Sequence, residues 1–181
     1  MQLGFTTDPE LPQVGFKEAA INAFKKMFQF KGRIRRSEYW WGYLVLMICY
    51  FVVNLIPIIG QIAACFIMIA CVSMLFRRLH DTGRSGWWWG IAALLMIGIG
   101  FLIFGTVPLE EIMDAAQDND PMAISKAIAD GFSKNPTAGI SVLILYLLVF
   151  IVGVATFIFT LLDSKPEANK YGPSPKYIEE L

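Results

Sequence analysis

Four stretches of this chain, residues 39–59, 62–76, 87–107 and 138–162, run without a single Asp, Glu, Lys, Arg or His. A helix that crosses a bilayer needs about 20 mostly apolar residues. Three stretches meet that length, and residues 62–76 fall short. At 1.5 Å per residue they span only about 22–24 Å. Arg77 and Arg78 follow directly and are placed to snorkel towards headgroups. They also lie where a helix C-terminus favours cations. The runs are too long for ordinary strands and lack the alternation of an outer-membrane barrel. Composition points the same way. The chain is 56% apolar and 17% charged, against about 45–50% and about 25% for a soluble domain. This excludes disorder, a nucleic-acid-binding domain driven by basic charge and an ordinary cytosolic enzyme. A secretory signal peptide is a poor reading, because the first apolar run sits behind a charged segment and no small-residue cleavage site follows it. The expected fold is all-α: a polytopic membrane protein with four transmembrane helices, an N-terminal amphipathic interfacial helix and short helices in an external loop. Residues 1–30 form an N-terminal extension, 31–176 the four-span domain and 163–181 a tail.

Charge is segregated although it sums to zero. Residues 1–38 hold Lys17, Lys25, Lys26, Lys31, Arg33, Arg35 and Arg36. Residues 77–86 hold Arg77, Arg78 and Arg84, and the tail holds Lys165, Lys170 and Lys176. With four spans these segments share one side, which then carries 13 of the 15 basic residues. The positive-inside rule places that side, and both termini, in the cytoplasm. Tyr39, Trp40 and Trp41 open the first run, and Trp87, Trp88 and Trp89 open the third. They are expected as interfacial anchors, where amphipathic rings settle.

Residues 16–30 place Phe16, Ala20, Ile21, Phe24, Met27, Phe28 and Phe30 on one helical arc, with Glu18, Asn22, Lys25, Lys26 and Gln29 opposite. A basic helix with an aromatic face suits an anionic membrane surface, and packing on the protein's own spans is compatible with that. The loop 108–137 carries six acids and two lysines. There Asp120 and Pro121 read as a helix start and Gly131 as a stop. Cys49, Cys65 and Cys71 all lie in apolar runs and read as buried free thiols. With a single histidine and no alternating acidic loop, no metal site and no cofactor is expected. The Gly86-x-x-x-Gly90 spacing permits close helix approach but lies at a span end, where it is weak.

Three polar motifs remain. They are Gly32-Arg33-Ile34-Arg35-Arg36-Ser37-Glu38-Tyr39-Trp40-Trp41, Arg77-Arg78-Leu79-His80-Asp81-Thr82-Gly83-Arg84-Ser85-Gly86-Trp87-Trp88, and Asn169-Lys170-Tyr171-Gly172-Pro173. The tight turn at 57–61 makes the first two spans an antiparallel hairpin, so the first two motifs become neighbours. Arg33, Arg35, Arg36, Arg77, Arg78 and Arg84, with Ser85 and Gly86 opening the third span, are candidates for binding an anion. Arginine forks match phosphate oxygens, and a helix N-terminus presents free N–H groups. Glu38, His80, Asp81, Asn169 and Tyr171 are candidates to orient the cluster. A plainer reading has Glu38 and Asp81 pair with the arginines to hold the helix ends.

The same three motifs resemble the domain of unknown function 805 family, the YhaH-like small bacterial inner-membrane proteins, over about residues 28–176. The resemblance implies an inner-membrane location and brings no activity with it. The first 27 residues and the acidic loop look like additions to the family pattern.

His80 next to Asp81 suggests a general base. Adjacent residues on a helix or turn do not generally face each other, and no nucleophile has a readable elbow, so an enzyme is not expected. The expected function is a structural or adaptor module that binds anionic lipid headgroups or a protein partner through the Arg-rich cluster. A second copy of the chain is a compatible partner and nucleic acid is not. The alternative is a small transporter or channel for lipid or apolar solutes. The lack of ionisable groups within the runs counts against ion-coupled transport.

Overall fold

The computed structural model describes residues 10–117 and 121–178. Among these residues the regular structure is helical: α1 (Phe16–Lys25), α2 (Arg36–Val53), α3 (Ile59–Asp81), α4 (Trp87–Thr106), α5 (Leu109–Gln117), α6 (Pro121–Lys134) and α7 (Pro136–Leu161). No strand forms among them. Two isolated bridges join Glu10 to Tyr177 and Asn169 to Gly172. Three helices, α3, α4 and α7, are long and apolar enough to cross a membrane. They carry three of the four uncharged runs. The first run falls on α2, whose opening turn holds Arg36 and Glu38 and which stops at Val53. Its residues 39–53 supply only about 22 Å of helix.

The chain divides into two compact units, Met1–Trp87 with Thr156–Leu181, and Trp88–Ala155. In the first, α2 and α3 pack as a hairpin with α1 against both. α2 ends where the Asn54 side-chain amide donates to the Tyr50 carbonyl (2.7 Å), and Pro57 cannot extend a helix. The turn closes through the Ile59 N–H, which donates to the Pro57 carbonyl (2.7 Å). Ile58 between them sits at φ 61° and ψ −67°, the geometry of a γ-turn of the rarer hand. α3 then runs on past residue 76 to Asp81. Arg77 and Arg78 are therefore helical and buried rather than snorkelling from a helix end.

The core of this unit holds Ala23, Ile34, Tyr39, Leu46, Ile67, Ala70 and Met74. Tyr39 is thus a core residue, packed by Trp40 and Tyr43, and not an interfacial anchor. Trp41 and Trp87 are exposed, as is Cys65, against the expectation of a buried thiol. α1 stops at Lys25, short of the expected residue 30. It packs through Ala19 and Ala23, the small residues beside the aromatic arc, while Phe16, Ile21 and Phe24 stay exposed. Small side chains win the buried positions because they let the helix axes approach closely.

In the second unit α5 and α6 pack together, with Lys134 near Glu111 (3.8 Å). Asp120, expected to cap α6, lies outside the described residues. Gly131 does not stop α6. It is buried, and a Cβ there would meet the Val107 side chain at 2.7 Å, so its lack of a side chain serves packing. The break falls at Asn135, whose Oδ1 accepts from the Thr137 hydroxyl (2.7 Å) and the Ala138 N–H (3.4 Å). Pro136 then opens α7, as an N-cap and a first-position proline should. Large apolar side chains such as Phe101, Phe104, Leu143 and Phe150 stand exposed on α4 and α7.

Candidate functional site

The first unit brings all three polar motifs together at one end of α3, around Asp81. α3 closes there with a Schellman motif. The Gly83 N–H donates to the His80 carbonyl (3.0 Å) and the Arg84 N–H to the Leu79 carbonyl (2.8 Å). Gly83 takes φ 76°, which the motif requires and which a side chain resists.

Asp81 is fully buried and fully engaged. Its Oδ1 accepts from Arg33 Nε (3.1 Å). Its Oδ2 accepts from the Ser164 hydroxyl (2.6 Å) and from Arg78 Nη1. The two arginine side chains are 1% and 0% exposed, so two cations and one anion share a desolvated space. Carbonyl oxygens compensate the excess charge. Arg33 Nη1 donates to Glu167 (2.9 Å) and Gly172 (3.2 Å), and its Nη2 to Lys165 (2.6 Å) and Asp81 (3.3 Å). Every N–H of that guanidinium can thus be matched to an acceptor. Arg78 donates to the carbonyls of Thr160 (3.1 Å), Ile34 (3.4 Å) and Leu162. These arginines tie the loop before α2, the end of α7 and the tail onto α3.

The third motif docks on the second. Asn169 and Gly172 exchange backbone hydrogen bonds (3.1 and 2.9 Å), and Asn169 Nδ2 donates to the His80 carbonyl (3.0 Å). Tyr171 stacks flat on the His80 ring at 3.7 Å between centroids. His80 Nδ1 lies 3.2 Å from the Gly32 carbonyl, which only accepts, so this nitrogen carries the proton. His80 and Asp81 therefore serve different partners despite being adjacent.

The remaining candidates separate. Arg35 donates to the Leu11 carbonyl (2.8 Å) and to Glu10 (2.7 Å). Arg77 donates to the carbonyls of Ser73 and Lys26 (3.4 Å each) and forms no ion pair among the described residues. Glu38 accepts from Asn22 Nδ2 (3.0 Å), linking α1 to α2; it makes no arginine ion pair at contact distance among the described residues, though its charge acts on Arg77. Arg36 is exposed, with one bond to the Leu161 carbonyl (3.2 Å). Arg84 lies over the Phe159 ring, 3.9 Å from its centroid. The Ser85 hydroxyl accepts from the Trp87 N–H (3.3 Å). Gly86 is packed so closely on Phe76 that a Cβ would collide with the ring. The N–H groups of Gly83, Arg84 and Trp87 are therefore already taken. Of the six arginines only Arg36 is exposed, while Arg84 is half-buried with its Nη1 donating to the Thr82 carbonyl (3.3 Å).

Sequence reasoning missed three partners. Ser164 reaches Asp81 from beyond α7. Glu10 and Asp163 hold the tail through Lys176, at 3.3 and 2.5 Å. Burial pushes the Asp163 carboxyl upward, but hydrogen bonds from Lys176 and from the Ser164 N–H outweigh it and hold the value below the usual range. For Lys176, burial disfavours the charge, and its bonds to Asp163, Tyr177 and Glu10 reverse this and raise its pKa.

Residues 27–112 match the family described as protein of unknown function (DUF805), a segment that includes the first two motifs and not the third. The inner membrane protein YhaH of Escherichia coli strain K12 is 36% identical over 96 residues, covering 46% of this chain and 77% of that protein. The inner membrane protein YhaI of the same strain is 32% identical over 76 residues, covering 38% and 64%. No solved structure matches the chain. The chain belongs to the DUF805 family, whose function is unknown.

Proposed function

We propose that this protein is a non-enzymatic structural or adaptor module of the bacterial inner membrane. In this reading it has four spans and cytoplasmic termini, and it engages anionic lipid headgroups through a basic cytoplasmic face. One observation carries the reading: the arginines of both long motifs converge at one end of a single unit, with basic and aromatic side chains exposed around them. Arg33 and Arg78 there act as an internal clamp. Arg36 and Arg84, with Lys25, Lys26 and Lys31, form the outward layer. Exposed Phe16, Phe24, Trp41 and Trp87 accompany them, the combination that favours the headgroup level of an anionic leaflet. The four spans follow from the charge partition, with α2 the short member that seats its first turn at the interface. A catalytic reading loses its base, because Asp81 is committed to two arginines and a serine and His80 is stacked under Tyr171.

The test is lipid retention by the purified full chain in mild detergent, read by mass spectrometry. Replacing Arg36 and Arg84 together by Ala is expected to lower co-purified anionic lipid severalfold without loss of helicity. Unchanged retention would take Arg36 and Arg84 out of the contact, and unchanged retention also after replacement of Lys25, Lys26 and Lys31 would remove the lipid reading and leave a protein partner as the object of this face.

A further inference from the structure

The segment that follows α1 turns back on itself, with Gln29 Nε2 donating to the Lys31 carbonyl (3.3 Å). It encloses an open cleft of about 600 Å³ lined by Lys25, Lys26, Phe28, Gln29, Phe30 and Lys31. The cleft is graded from charged to apolar. Phe30 packs edge-on against Phe76 (5.5 Å), beside Arg77, while Phe28 packs edge-on against Phe66 (6.4 Å). Phe66 and Phe76 are ten residues apart on α3, hence about 15 Å along its axis. One wall thus descends from the polar end of the helix into its apolar stretch, while the lysines stay at the polar end.

Among the described residues the cations at that end lack ion-pair partners within contact distance, although the Glu38 carboxylate lies close enough to act on the charge of Arg77. Lys25, Lys26 and Lys31 form no ion pair among the described residues, and neither does Arg77 beneath them, whose guanidinium meets the Lys26 carbonyl. That bond (3.4 Å) ties the Lys26 backbone to α3, so the turn that carries the lysines is joined to that helix.

We infer that this cleft is a seat for one anionic glycerophospholipid, its phosphodiester held by the lysines and an acyl chain lying along Phe30 and Phe28 towards Phe66. Ammonium groups hold a phosphate as point charges, and the aromatic wall gives the tail a surface at the depth where hydrocarbon begins. The inference rests on the proposal that this face meets an anionic leaflet, and it locates the contact away from the arginine clamp.

The experiment is native mass spectrometry of the full chain in mild detergent, titrated with phosphatidylglycerol, phosphatidylcholine or inorganic phosphate. The wild type is expected to take up one phosphatidylglycerol in preference to phosphatidylcholine. The triple variant Lys25→Gln, Lys26→Gln, Lys31→Gln should lose that adduct at least fivefold with unchanged circular dichroism. Phe28→Ser, which keeps the charge, should weaken it less. Equal uptake of the two lipids, or displacement of the lipid by inorganic phosphate alone, would overturn the seat. Retention by the lysine variant with loss in the Arg36, Arg84 variant would overturn this location and leave the functional reading standing. Retention by both would overturn both.

Discussion

Asp81 shows why a basic motif need not be a binding surface. Two arginines reach one carboxylate in a space closed to water, and carbonyl groups from three segments take the other donors. Removing the carboxylate leaves two buried cations with carbonyl partners only, and breaking a buried pair in this way costs about 3–5 kcal/mol. Asp81→Ala is therefore expected to destabilise the detergent-solubilised protein by about that amount in denaturant unfolding. Ser164→Ala, which deletes one of three bonds to the same carboxylate, should cost about 1 kcal/mol. An Asp81→Ala protein as stable as the wild type would show that the arginines find equal partners without it. Sequence placed these groups together by a short argument, since a hairpin turn sets its two polar ends side by side. It did not show which arginines point inward. That depends on where the backbone carbonyls of residues 160–172 fall, some eighty to one hundred and forty positions along the chain, and no local pattern carries such contacts.

At the scale of elements, helix existence was legible and helix ends were less so. The apolar runs mark α3, α4 and α7 because an uncharged stretch of that length has few other ways to satisfy its backbone in lipid. The ends follow polar bonds that composition does not register. α3 continues through Arg77 and Arg78 because both side chains find acceptors, and α6 continues through Gly131 because Val107 covers it. The joining of residues 10–11 to the tail was not legible at all. Leu11 pairs with Lys176 through the backbone (2.8 Å), and Glu10, Arg35, Arg36, Asp163 and Lys176 face the same contact. Its pH dependence follows from Asp163 and Lys176. The lowered carboxyl pKa means that its contribution is complete above the ordinary carboxylate value of about 4 and is lost as pH falls through the lower folded value. The raised ammonium pKa means that its contribution is complete below about 10.4 and is lost only above the folded value. Spin labels at Gln13 and Ile178, in a chain whose native cysteines are replaced by Ser, should give one distance distribution from pH 7 down to about pH 4 and a broadened one only as the pH falls through the lowered Asp163 value. Broadening already between pH 7 and pH 5 would mean that another group holds the tail.

For the whole molecule the question is which faces of the bilayer the polar segments occupy. Thirteen of the fifteen basic residues fall in three segments, and the first unit gathers residues from all three: Arg33 from before α2, Arg78 from the end of α3, and the Lys165 to Gly172 stretch after α7. Those three segments touch through hydrogen bonds of ordinary length, so they cannot lie on opposite faces of a membrane about 30 Å thick. This holds whatever the orientation. On the proposed four-span reading, the α2–α3 hairpin returns to its own side and α4 and α7 go out and come back. The same proposal puts the acidic segment between α4 and α7 on the far side. In the proposed orientation, which follows the positive-inside rule, the arginine end is cytoplasmic. Alkaline phosphatase, which is active only outside the cytoplasm, is therefore expected to be inactive when fused after Gly83 or after Ile178, and active when fused after Gln117. Activity after Gly83 together with inactivity after Gln117 would invert the protein and turn its lysine cleft towards the other leaflet. Activity after Gly83 but not after Ile178 would separate segments that the Arg33 and Asn169 bonds hold together, and the arrangement around Asp81 could not then exist in the membrane.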